Sequence, residues 1–263
     1  DSLMRLRYLD VGQGDAAVVS FPDGTHYLID GGNDFGGWDS GERHIIPYLR
    51  WAGIRHLDGV FLSHPNRDHY GGLTTVFEFV TVDTLYESMD SRLFLSDNPF
   101  TMSVTSHKIP RKLVDNGDMI GTGSNRRIYI LSPEIEDQSS VDYEDANDYS
   151  MVLLIVYGET KFLFTGDISA EQENDLVKKY SSLLDSDVLK VSHHGSRYSS
   201  DDGFIQAVSP DFAVISAGKY NTYGHPAPQT IDRLESAGSQ IFNTGMSGYV
   251  EFESDGNTVT IIR

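Results

Sequence analysis

The stretch His64-Pro65-Asn66-Arg67-Asp68-His69-Tyr70-Gly71-Gly72 begins one residue after Leu57 to Leu62, an apolar segment typical of a short buried strand. It places two imidazoles and a carboxylate, those of His64, Asp68 and His69, at the end of that strand. Nitrogen and oxygen ligands that converge on one point are what a divalent metal ion requires. The pattern therefore predicts a metal site. The alternative is a helix cap made by Asp68 beside histidines that have no function.

Three later segments also place polar groups after a predicted strand or in a loop. They are Phe164 to Asp167, Val191 to Ser196 with the pair His193 and His194, and Tyr223 to Pro226 around His225. An Asp after a strand is more often a turn residue than a ligand, and a lone loop histidine decides little. Paired histidines at a strand end suit a hydrophobic core poorly, so they favour a metal or catalytic role.

Strand-like and helix-like segments alternate along the chain. Arg5 to Leu9, Ala16 to Phe21 and Thr25 to Ile29 predict an antiparallel meander. A further strand is predicted over Thr81 to Tyr86, and a helix from Ser169 to about Leu184. Two β-rich halves with helices between them predict an α/β fold, a four-layer αββα sandwich that forms a single domain over residues 1–263.

The composition narrows the classes of function. Lys and Arg total 20 whereas Asp and Glu total 39, and the net charge of −19 argues against a general polyanion-binding surface. The absence of Cys excludes disulfides, thiolate nucleophiles and zinc fingers, and no Gly-x-Ser-x-Gly motif offers a serine nucleophile. Apolar runs such as Met151 to Tyr157 are too short to span a bilayer, so we expect no membrane contact by this chain itself.

Five motifs, taken in order along the chain, carry a resemblance to a known family. They are Leu9 to Ala16 (LDVGQGDA), Leu28 to Gly32 (LIDGG), Thr165 to Asp167 (TGD), His193 to Ser196 (HHGS) and Asn221 to Pro226 (NTYGHP). Together with the stretch after His64 they resemble the metallo-β-lactamase superfamily. Within it, they are most similar to the C-terminal metallo-β-lactamase-like domain of ComEC-type DNA-uptake competence proteins.

The resemblance implies a centre for two divalent metal ions. It implies that Asp68, His69 and His194 hold one metal, that His64 belongs to the other, and that Asp167 bridges both. Asp68 and Asp167 are therefore candidate catalytic residues as well as ligands. Two such ions activate water for attack on phosphorus, so neither a serine nor a cysteine nucleophile is needed.

The sequence departs from the commonest pattern of the family at Asn66, where lactamases and glyoxalase-type enzymes usually have His. Asn147 stands near the place of another histidine ligand of those enzymes, and His193 is an alternative to His194. We take both asparagines as candidate ligands through their amide oxygens. Oxygen-rich ligand sets favour Mn²⁺ or Mg²⁺ over Zn²⁺, so we expect Mn²⁺ first. The alternative is that one metal alone binds tightly.

Residues around the ligands have predicted supporting roles. Asp30 precedes two glycines at a strand end and is placed to orient a ligand histidine, and Asp15 is expected to line the site, although both suit turns as well. Ser196 and Arg197 follow the histidine pair and are candidate phosphate contacts. His225 is the candidate general acid or a further phosphate contact.

The resemblance implies metal-dependent phosphodiester hydrolysis, with a ComEC-like nuclease that degrades one DNA strand during DNA uptake as the leading prediction. DNA would be held weakly by local contacts. The domain would be tethered to a membrane channel in a longer parent chain, on the extracytoplasmic side of the cell membrane. One alternative is a phosphodiesterase for small substrates, similar to phosphorylcholine esterases. The other is a non-catalytic binding domain, which the retained ligands argue against.

Overall fold

The computed structural model describes residues 3–121, 123, 125–135 and 143–262, of which 143–145 are described by their backbone alone. The strands are β1 (Met4–Leu9), β2 (Ala17–Ser20), β3 (His26–Ile29), β4 (His56–Leu57), β5 (Gly59–Leu62), β6 (Thr81–Val82), β7 (Leu85–Glu87), β8 (Arg111–Leu113), β9 (Met119–Ile120), β10 (Arg126–Ser132), β11 (Val152–Tyr157), β12 (Thr160–Phe164), β13 (Val188–Lys190), β14 (Phe212–Ile215), β15 (Gln240–Asn243), β16 (Tyr249–Ser254) and β17 (Val259–Ile261). The α-helices are α1 (Ile46–Trp51), α2 (Arg67–Tyr70), α3 (Leu73–Phe79), α4 (Pro99–Ser106), α5 (Ala170–Tyr180), α6 (Asp202–Val208), α7 (Pro228–Ser236) and α8 (Thr244–Ser247). A π-helical turn covers Gly41–Ile45, and short 3-10 segments cover Ser91–Leu93, Tyr143–Tyr149, Ser181–Leu184 and Ser192–Gly195.

The described strands form two large mixed sheets. The first sheet has the order β17-β16-β1-β2-β3-β5-β7-β8, and the second has the order β15-β14-β13-β12-β11-β10-β9. Strands β1 to β3 pair antiparallel, so the predicted meander is confirmed, and β16 returns beside β1. Neighbouring strands are parallel from β3 to β8 in the first sheet and from β12 to β15 in the second.

The two sheets pack against each other over one hydrophobic core. Tyr8 and Phe252 of the first sheet and Phe162 and Phe164 of the second are among its members, and the rings of Tyr8 and Phe164 stack at 5.4 Å. Helices α1, α3 and α4 cover the outer face of the first sheet, and α5, α6 and α7 cover that of the second. The order helix, sheet, sheet, helix confirms the predicted αββα sandwich.

Two segments predicted as single strands each divide in two. The segment Leu57 to Leu62 is interrupted at Asp58, whose carboxylate accepts a hydrogen bond from the His26 backbone N–H at 2.8 Å. The prediction for Thr81 to Tyr86 is wrong in its extent for a related reason, since β6 pairs with β4 in a separate parallel ladder while β7 joins the first sheet. The helix predicted from Ser169 begins at Ala170, with Ser169 at its N-cap position.

The ends of the parallel strands position the candidate residues. Asp30 follows β3, His64 follows β5 after one residue, Asp167 comes shortly after β12, and His193 and His194 come shortly after β13. At this edge, the backbone N–H of Met151 donates to the carbonyl oxygen of Ser63 at 2.8 Å and joins the two sheets. Within the described residues, no helix combines the length and apolar character that crossing a bilayer requires.

Candidate metal centre

A buried hydrogen-bond network organises the loop that follows β5. The Asp30 carboxylate accepts hydrogen bonds from the backbone N–H and the hydroxyl of Ser63, both at 2.8 Å, and from Nδ1 of His69 at 2.9 Å. Nδ1 of His64 lies 3.1 Å from the Ser63 hydroxyl oxygen and 3.2 Å from that of Ser150. Both histidines thus have Nδ1 engaged by the protein, which leaves Nε2 of each for another partner.

Four side chains converge beyond this network. The ligand atoms of Asp68, His69, Asp167 and His194 lie within 4.8 Å of one another. Oδ2 of Asp167 is 3.3 Å from Nε2 of His69 and 3.2 Å from Nε2 of His194, and the latter atom is 3.3 Å from Oδ2 of Asp68. The ring of His64 lies beside that of His69, with centroids 4.1 Å apart. The structure therefore brings together the residues that the resemblance implies for both metal positions.

The hydrogen bonding of these residues is that expected of metal ligands. Nδ1 of His194 donates to the Ser216 carbonyl oxygen at 2.9 Å. Among the residues that the structure describes, Nε2 of His64, His69 and His194 and Oδ1 of Asp167 are buried without a hydrogen-bond partner. Buried polar atoms are normally paired, and a metal-binding histidine normally has its other nitrogen held by an acceptor. The unpartnered atoms therefore suit divalent cations.

Negative charge dominates the electrostatics of the centre. Asp15, Asp30 and Asp167 are buried, and Lys190 is the one buried ammonium that faces them among the described residues. Burial opposes charge on Asp167, but His194 and His69 hold its pKa well below the usual range. Burial also acts to lower the pKa of His69, yet Asp167 and Asp30 raise it well above the usual range. The buried carboxylates are therefore stable only beside positive charge. Divalent ions would supply that charge, and the histidines would then not need to be protonated.

The backbone around the centre is strained where the ligands need it. Asp30, His193 and His194 have φ angles of 57°, 48° and 55°, in the left-handed region that costs about 1–3 kcal/mol for a residue with a side chain. At Gly14, φ is 139° and a Cβ atom would overlap the carbonyl oxygen of Asp68. Because Gly14 has no side chain, the backbone N–H of Asp15 can donate to that oxygen at 3.2 Å. The Gly-Gln-Gly loop, residues Gly12 to Gly14, therefore packs against the centre.

Two histidines lie at the rim. Nε2 of His193 is 3.9 Å from Oδ2 of Asp167, and its side chain is 31% exposed against 2% for His194, so His194 is the member of the pair that belongs to the cluster. The ring of His225 lies 5.7 Å from that of His193 and 6.4 Å from that of His194. Burial, followed by the positive charge of these neighbours, lowers the pKa of His225 to about 4, so its imidazole is neutral near pH 7.

The two predicted phosphate contacts differ in access. Arg197 is exposed and lies close enough to His225 to contribute to the lowering of that pKa. Ser196 is buried, and its hydroxyl accepts a hydrogen bond from the backbone N–H of Tyr198 at 3.3 Å. In this structure Ser196 is a turn residue, and Arg197 is the accessible member of the pair.

The candidate ligands Asn66 and Asn147 contact each other. Nδ2 of Asn66 donates to Oδ1 of Asn147 at 2.7 Å, so the oxygen of the Asn66 amide is not used in this pair. The Asn147 carbonyl accepts from the N–H of Ser150, whose hydroxyl accepts from the N–H of Asp167 at 3.1 Å. The structure therefore places both amides next to the centre and next to each other.

Most of the chain matches a known protein family. The profile of the Metallo-beta-lactamase superfamily matches residues 9–219, which is most of the chain and includes the four-residue cluster. The chain belongs to this superfamily. The resemblance predicted from the sequence is confirmed. Membership of the superfamily, together with the cluster of histidines and aspartates, supports a metal-dependent hydrolase that binds divalent metal.

Three curated relatives match nearly the whole of this chain. ComE operon protein 3 of Bacillus subtilis is 29% identical over 93% of this chain and 32% of its own length. Competence protein ComA of Neisseria gonorrhoeae is 31% identical over 92% of this chain and 31% of its own length. Recombination protein 2 of Haemophilus influenzae is 32% identical over 92% of this chain and 28% of its own length. The chain thus spans about a third of the length of the curated relatives it matches.

Solved structures share the fold at low sequence identity. The Zn²⁺-bound PqqB of Methylobacterium extorquens matches with a TM-score of 0.56 at 13% identity, over 88% of this chain and 85% of that one. A diphosphatase of the PhnP family matches with a TM-score of 0.54 at 16% identity, over 95% and 98%. These likenesses bear on the metallo-β-lactamase fold alone.

A buried lysine behind the centre was not singled out from the sequence. Lys190 is 2% exposed, and its Nζ lies 2.7 Å from Oδ2 of Asp15, whose Oδ1 lies 3.3 Å from Nδ1 of His194. Burial acts to raise the pKa of Asp15, but Lys190 and then His194 hold it well below the usual range. The available signal was a lysine inside the apolar run Val188 to Val191, since a lysine is buried only when it is paired.

A second buried acid, Glu173 of α5, supports the loop of the histidine pair. Its Oε1 accepts hydrogen bonds from the Ser192 hydroxyl and the Ser200 backbone N–H, both at 2.7 Å. Its Oε2 accepts from the Asp201 backbone N–H at 2.9 Å. One side chain thus holds the turn before His193 against the turn before α6. Burial raises the pKa of Glu173 from 4.5 to about 7.

The raised pKa of Glu173 predicts a dependence of stability on pH. The native state keeps this proton up to about pH 7, whereas the unfolded chain loses it near 4.5, so the stabilisation is complete below pH 4.5 and is lost as the pH rises through 7. We expect Glu173→Gln to remove this loss, on the order of 3 kcal/mol. Urea unfolding of both proteins between pH 4.5 and 8 measures it. The exposed Glu171→Gln on the same helix is the control, and a wild-type-minus-variant difference that stays constant with pH contradicts the prediction.

Proposed function

We propose that this chain is a metal-dependent phosphodiester hydrolase that cuts DNA, as part of a protein of DNA uptake. The observation that carries the proposal is the buried cluster of Asp68, His69, Asp167 and His194. It occurs in a chain about 30% identical to regions of proteins named for competence and recombination. A fold that keeps these ligands and leaves their nitrogens unpartnered is built for metal-assisted chemistry rather than for scaffolding.

The ligand roles proposed here follow the geometry. Asp68, His69 and His194 would hold one metal, His64 and the amide oxygen of Asn66 would belong to the other, and Asp167 would serve both. When bound, two divalent ions supply Lewis acidity that activates water and stabilises the charge growing on a phosphoryl group. The share of oxygen among these ligands favours Mn²⁺, with Mg²⁺ or Zn²⁺ as alternatives.

The rim residues would handle the substrate. Hydrolysis forms a bond from the water oxygen to phosphorus and breaks the bond to the leaving sugar oxygen, which takes up a proton. His225 lies beside His193 and His194, and its lowered pKa leaves the imidazole neutral near pH 7. It is therefore the side chain proposed to contact the phosphate, and the leaving oxygen would take its proton from solvent. The exposed Arg197 is the proposed cationic contact for a phosphate oxygen.

The partner proposed for this site is DNA held by local contacts. A net charge of −19 weakens general attraction to a polyanion, so binding would depend on the metals and on a few side chains. If the chain is a domain tethered beside a membrane channel on the extracytoplasmic side, as in the ComEC-type arrangement, the tether raises the local concentration of DNA and weak contacts suffice.

The acidic surface also supports a second candidate. A small phosphodiester, such as a phosphorylcholine ester, has far less negative charge than DNA and would meet little repulsion from a protein of charge −19. The same centre would then act on small substrates only.

One experiment separates these functions. We expect elemental analysis to find about two divalent metals per chain, and a labelled DNA oligonucleotide to be cut with added Mn²⁺ and not with EDTA. Bis-(p-nitrophenyl) phosphate serves as the small substrate in the same assay. Turnover of this ester with intact DNA points to the second candidate, and a protein that binds no metal and hydrolyses neither substrate contradicts both.

A further inference from the structure

A cavity of about 340 Å³ lies beside the metal centre and is not used by the chemistry described above. It is formed by the Gly-Gln-Gly loop, the segment after β3 and the segment after β14. Gln13, Phe35, Trp38, Lys219 and Tyr220 are among its lining residues. Oε1 of Gln13 is buried and has no hydrogen-bond partner within the described chain.

The aromatic residues of this cavity are unusually open to solvent. Tyr220 is 87% exposed, Phe35 is 67% exposed, and Trp38 is 38% exposed. Side chains cap the turns here, since the backbone N–H groups of Asn33 and Phe35 donate to Ser40 Oγ and Asn33 Oδ1. Trp38 takes part in this packing, because its Nε1 donates to Ser40 Oγ at 3.2 Å and its ring stacks on that of His44 at 5.3 Å. The rings of Phe35 and Tyr220 are therefore the ones available for a planar ligand.

Cations accompany each of these rings in a protein that is otherwise strongly acidic. The side-chain cations lie over the ring centroids at 5.4 Å for Arg67 on Phe35, 4.8 Å for Arg43 on Trp38 and 5.4 Å for Lys219 on Tyr220. Arg67 is also paired with Asp34 at 2.5 Å, whereas Arg43 and Lys219 have no carboxylate partner among the described residues. Two uncompensated cations thus flank the rings, where an anionic backbone would lie.

The loops that line the cavity also contact residues of the metal centre and its rim. Gln13 precedes Gly14, which packs on the carbonyl of Asp68, and Arg67 is the residue before Asp68. On the other side, Asn221 lines the cavity and its amide donates to the carbonyl of His225 at 2.5 Å. A ligand in the cavity would therefore lie beside the loops that hold Asp68 and His225.

We propose that this cavity binds unpaired bases of single-stranded DNA, stacked on Phe35 and Tyr220, and so feeds one strand into the metal centre. This inference rests on the proposed nuclease function and names its substrate. Every base has a π-face and stacks on aromatic side chains without sequence preference, and cations beside the rings hold the phosphates. In a duplex the faces are buried in the stack, so these rings select the single strand.

Binding of a fluorescein-labelled oligo(dT) 15-mer with a phosphorothioate backbone, which resists hydrolysis, tests the proposal by fluorescence anisotropy with Mn²⁺ at low salt. We expect Phe35→Ala and Tyr220→Ala each to weaken binding about ten-fold, as loss of one stacked base does, and the double variant to weaken it further. Phe79→Ala is the matched control, because Phe79 is also an exposed phenylalanine with an arginine, Arg50, over its ring at 4.9 Å, but it lies on another surface. Lys219→Gln should reduce the salt slope by roughly 0.7.

The outcomes are distinct. Weaker binding in the two cavity variants with an unchanged Phe79→Ala supports the proposal. Equal losses in all three, no loss in the cavity variants, or a duplex of the same length that binds as tightly and loses as much overturns it. Hydrolysis of bis-(p-nitrophenyl) phosphate with Mn²⁺ is followed in parallel and should be unchanged in the cavity variants. Absence of that hydrolysis in every protein counts against the proposed function alone, since the anisotropy test needs no catalysis.

Discussion

Replacing Asp167 by asparagine is expected to lower metal-dependent hydrolysis on the order of 10³-fold, because several kcal/mol of charge stabilisation depend on this centre. Asp167 is the carboxylate that lies within 3.3 Å of both His69 and His194. Asparagine keeps the size of the side chain but removes the negative charge that would hold two cations together. Metal content by elemental analysis and initial rates on bis-(p-nitrophenyl) phosphate measure the effect, with both expected to fall.

A surface aspartate supplies the control for this loss. Asp175 is 68% exposed and pairs with Lys178 on α5, so Asp175→Asn should leave both metal content and rate unchanged. Far-UV circular dichroism checks that the variants fold. If Asp167→Asn fails to fold, Asp68→Asn replaces it. The Asp68 side chain is 28% exposed, so its substitution should destabilise the fold less. A rate within ten-fold of wild type in folded Asp167→Asn argues that this carboxylate is not a ligand.

The fold was predictable because short apolar segments separated by turn residues mark its strands. Turn residues such as Gly24 separate the segments of β1 to β3, so an antiparallel meander was predicted and is present. The division of Thr81 to Tyr86 was not predictable in the same way. It depends on the pairing of β6 with β4, which lies far back in the chain, and local propensity carries no information about such a partner.

The centre was partly predictable for a similar reason. His64, Asp68, Asp167 and His194 each come shortly after a buried strand, and parallel strands bring their carboxyl ends to one edge of the sandwich. The choice of His194 over His193 needed coordinates, because two adjacent residues with φ near 50° point their rings in ways that no sequence pattern encodes.

The supporting residues were harder to predict because their roles depend on tertiary contacts. Ser63 and Ser150 each reach Nδ1 of His64 through a hydroxyl, and a serine beside a ligand has no distinctive sequence signal. Ser196 follows the histidine pair in sequence and stays a predicted phosphate contact, but sequence does not show that its hydroxyl also accepts a hydrogen bond within the turn. Adjacency in sequence is thus a weak guide to which side chains face a substrate.

The buried pair of Lys190 and Asp15 is expected to be the largest single electrostatic contribution to stability outside the metal ions. Lys190→Met should lower the free energy of unfolding by about 3–5 kcal/mol, since it leaves the buried Asp15 carboxylate without the ammonium 2.7 Å away. Lys178→Met is the matched control. Lys178 is 76% exposed and pairs with Asp175 at 2.8 Å, and a surface pair of this kind contributes at most about 1 kcal/mol.

Urea unfolding in excess chelator measures these differences without a contribution from bound metal. The double variant Lys190→Met with Asp15→Asn should recover more than half of the loss, because it removes the orphaned charge along with its partner. This recovery separates the electrostatic explanation from a packing defect caused by methionine, which the second substitution would not relieve. Metal binding should also offset part of the loss in Lys190→Met, because His194, which would hold a divalent ion, lies 3.3 Å from Asp15, and a bound ion would stabilise the native state by mass action. Equal losses in Lys190→Met and Lys178→Met, or a double variant no more stable than Lys190→Met, would show that the ion pair of Lys190 and Asp15 does not stabilise the native state.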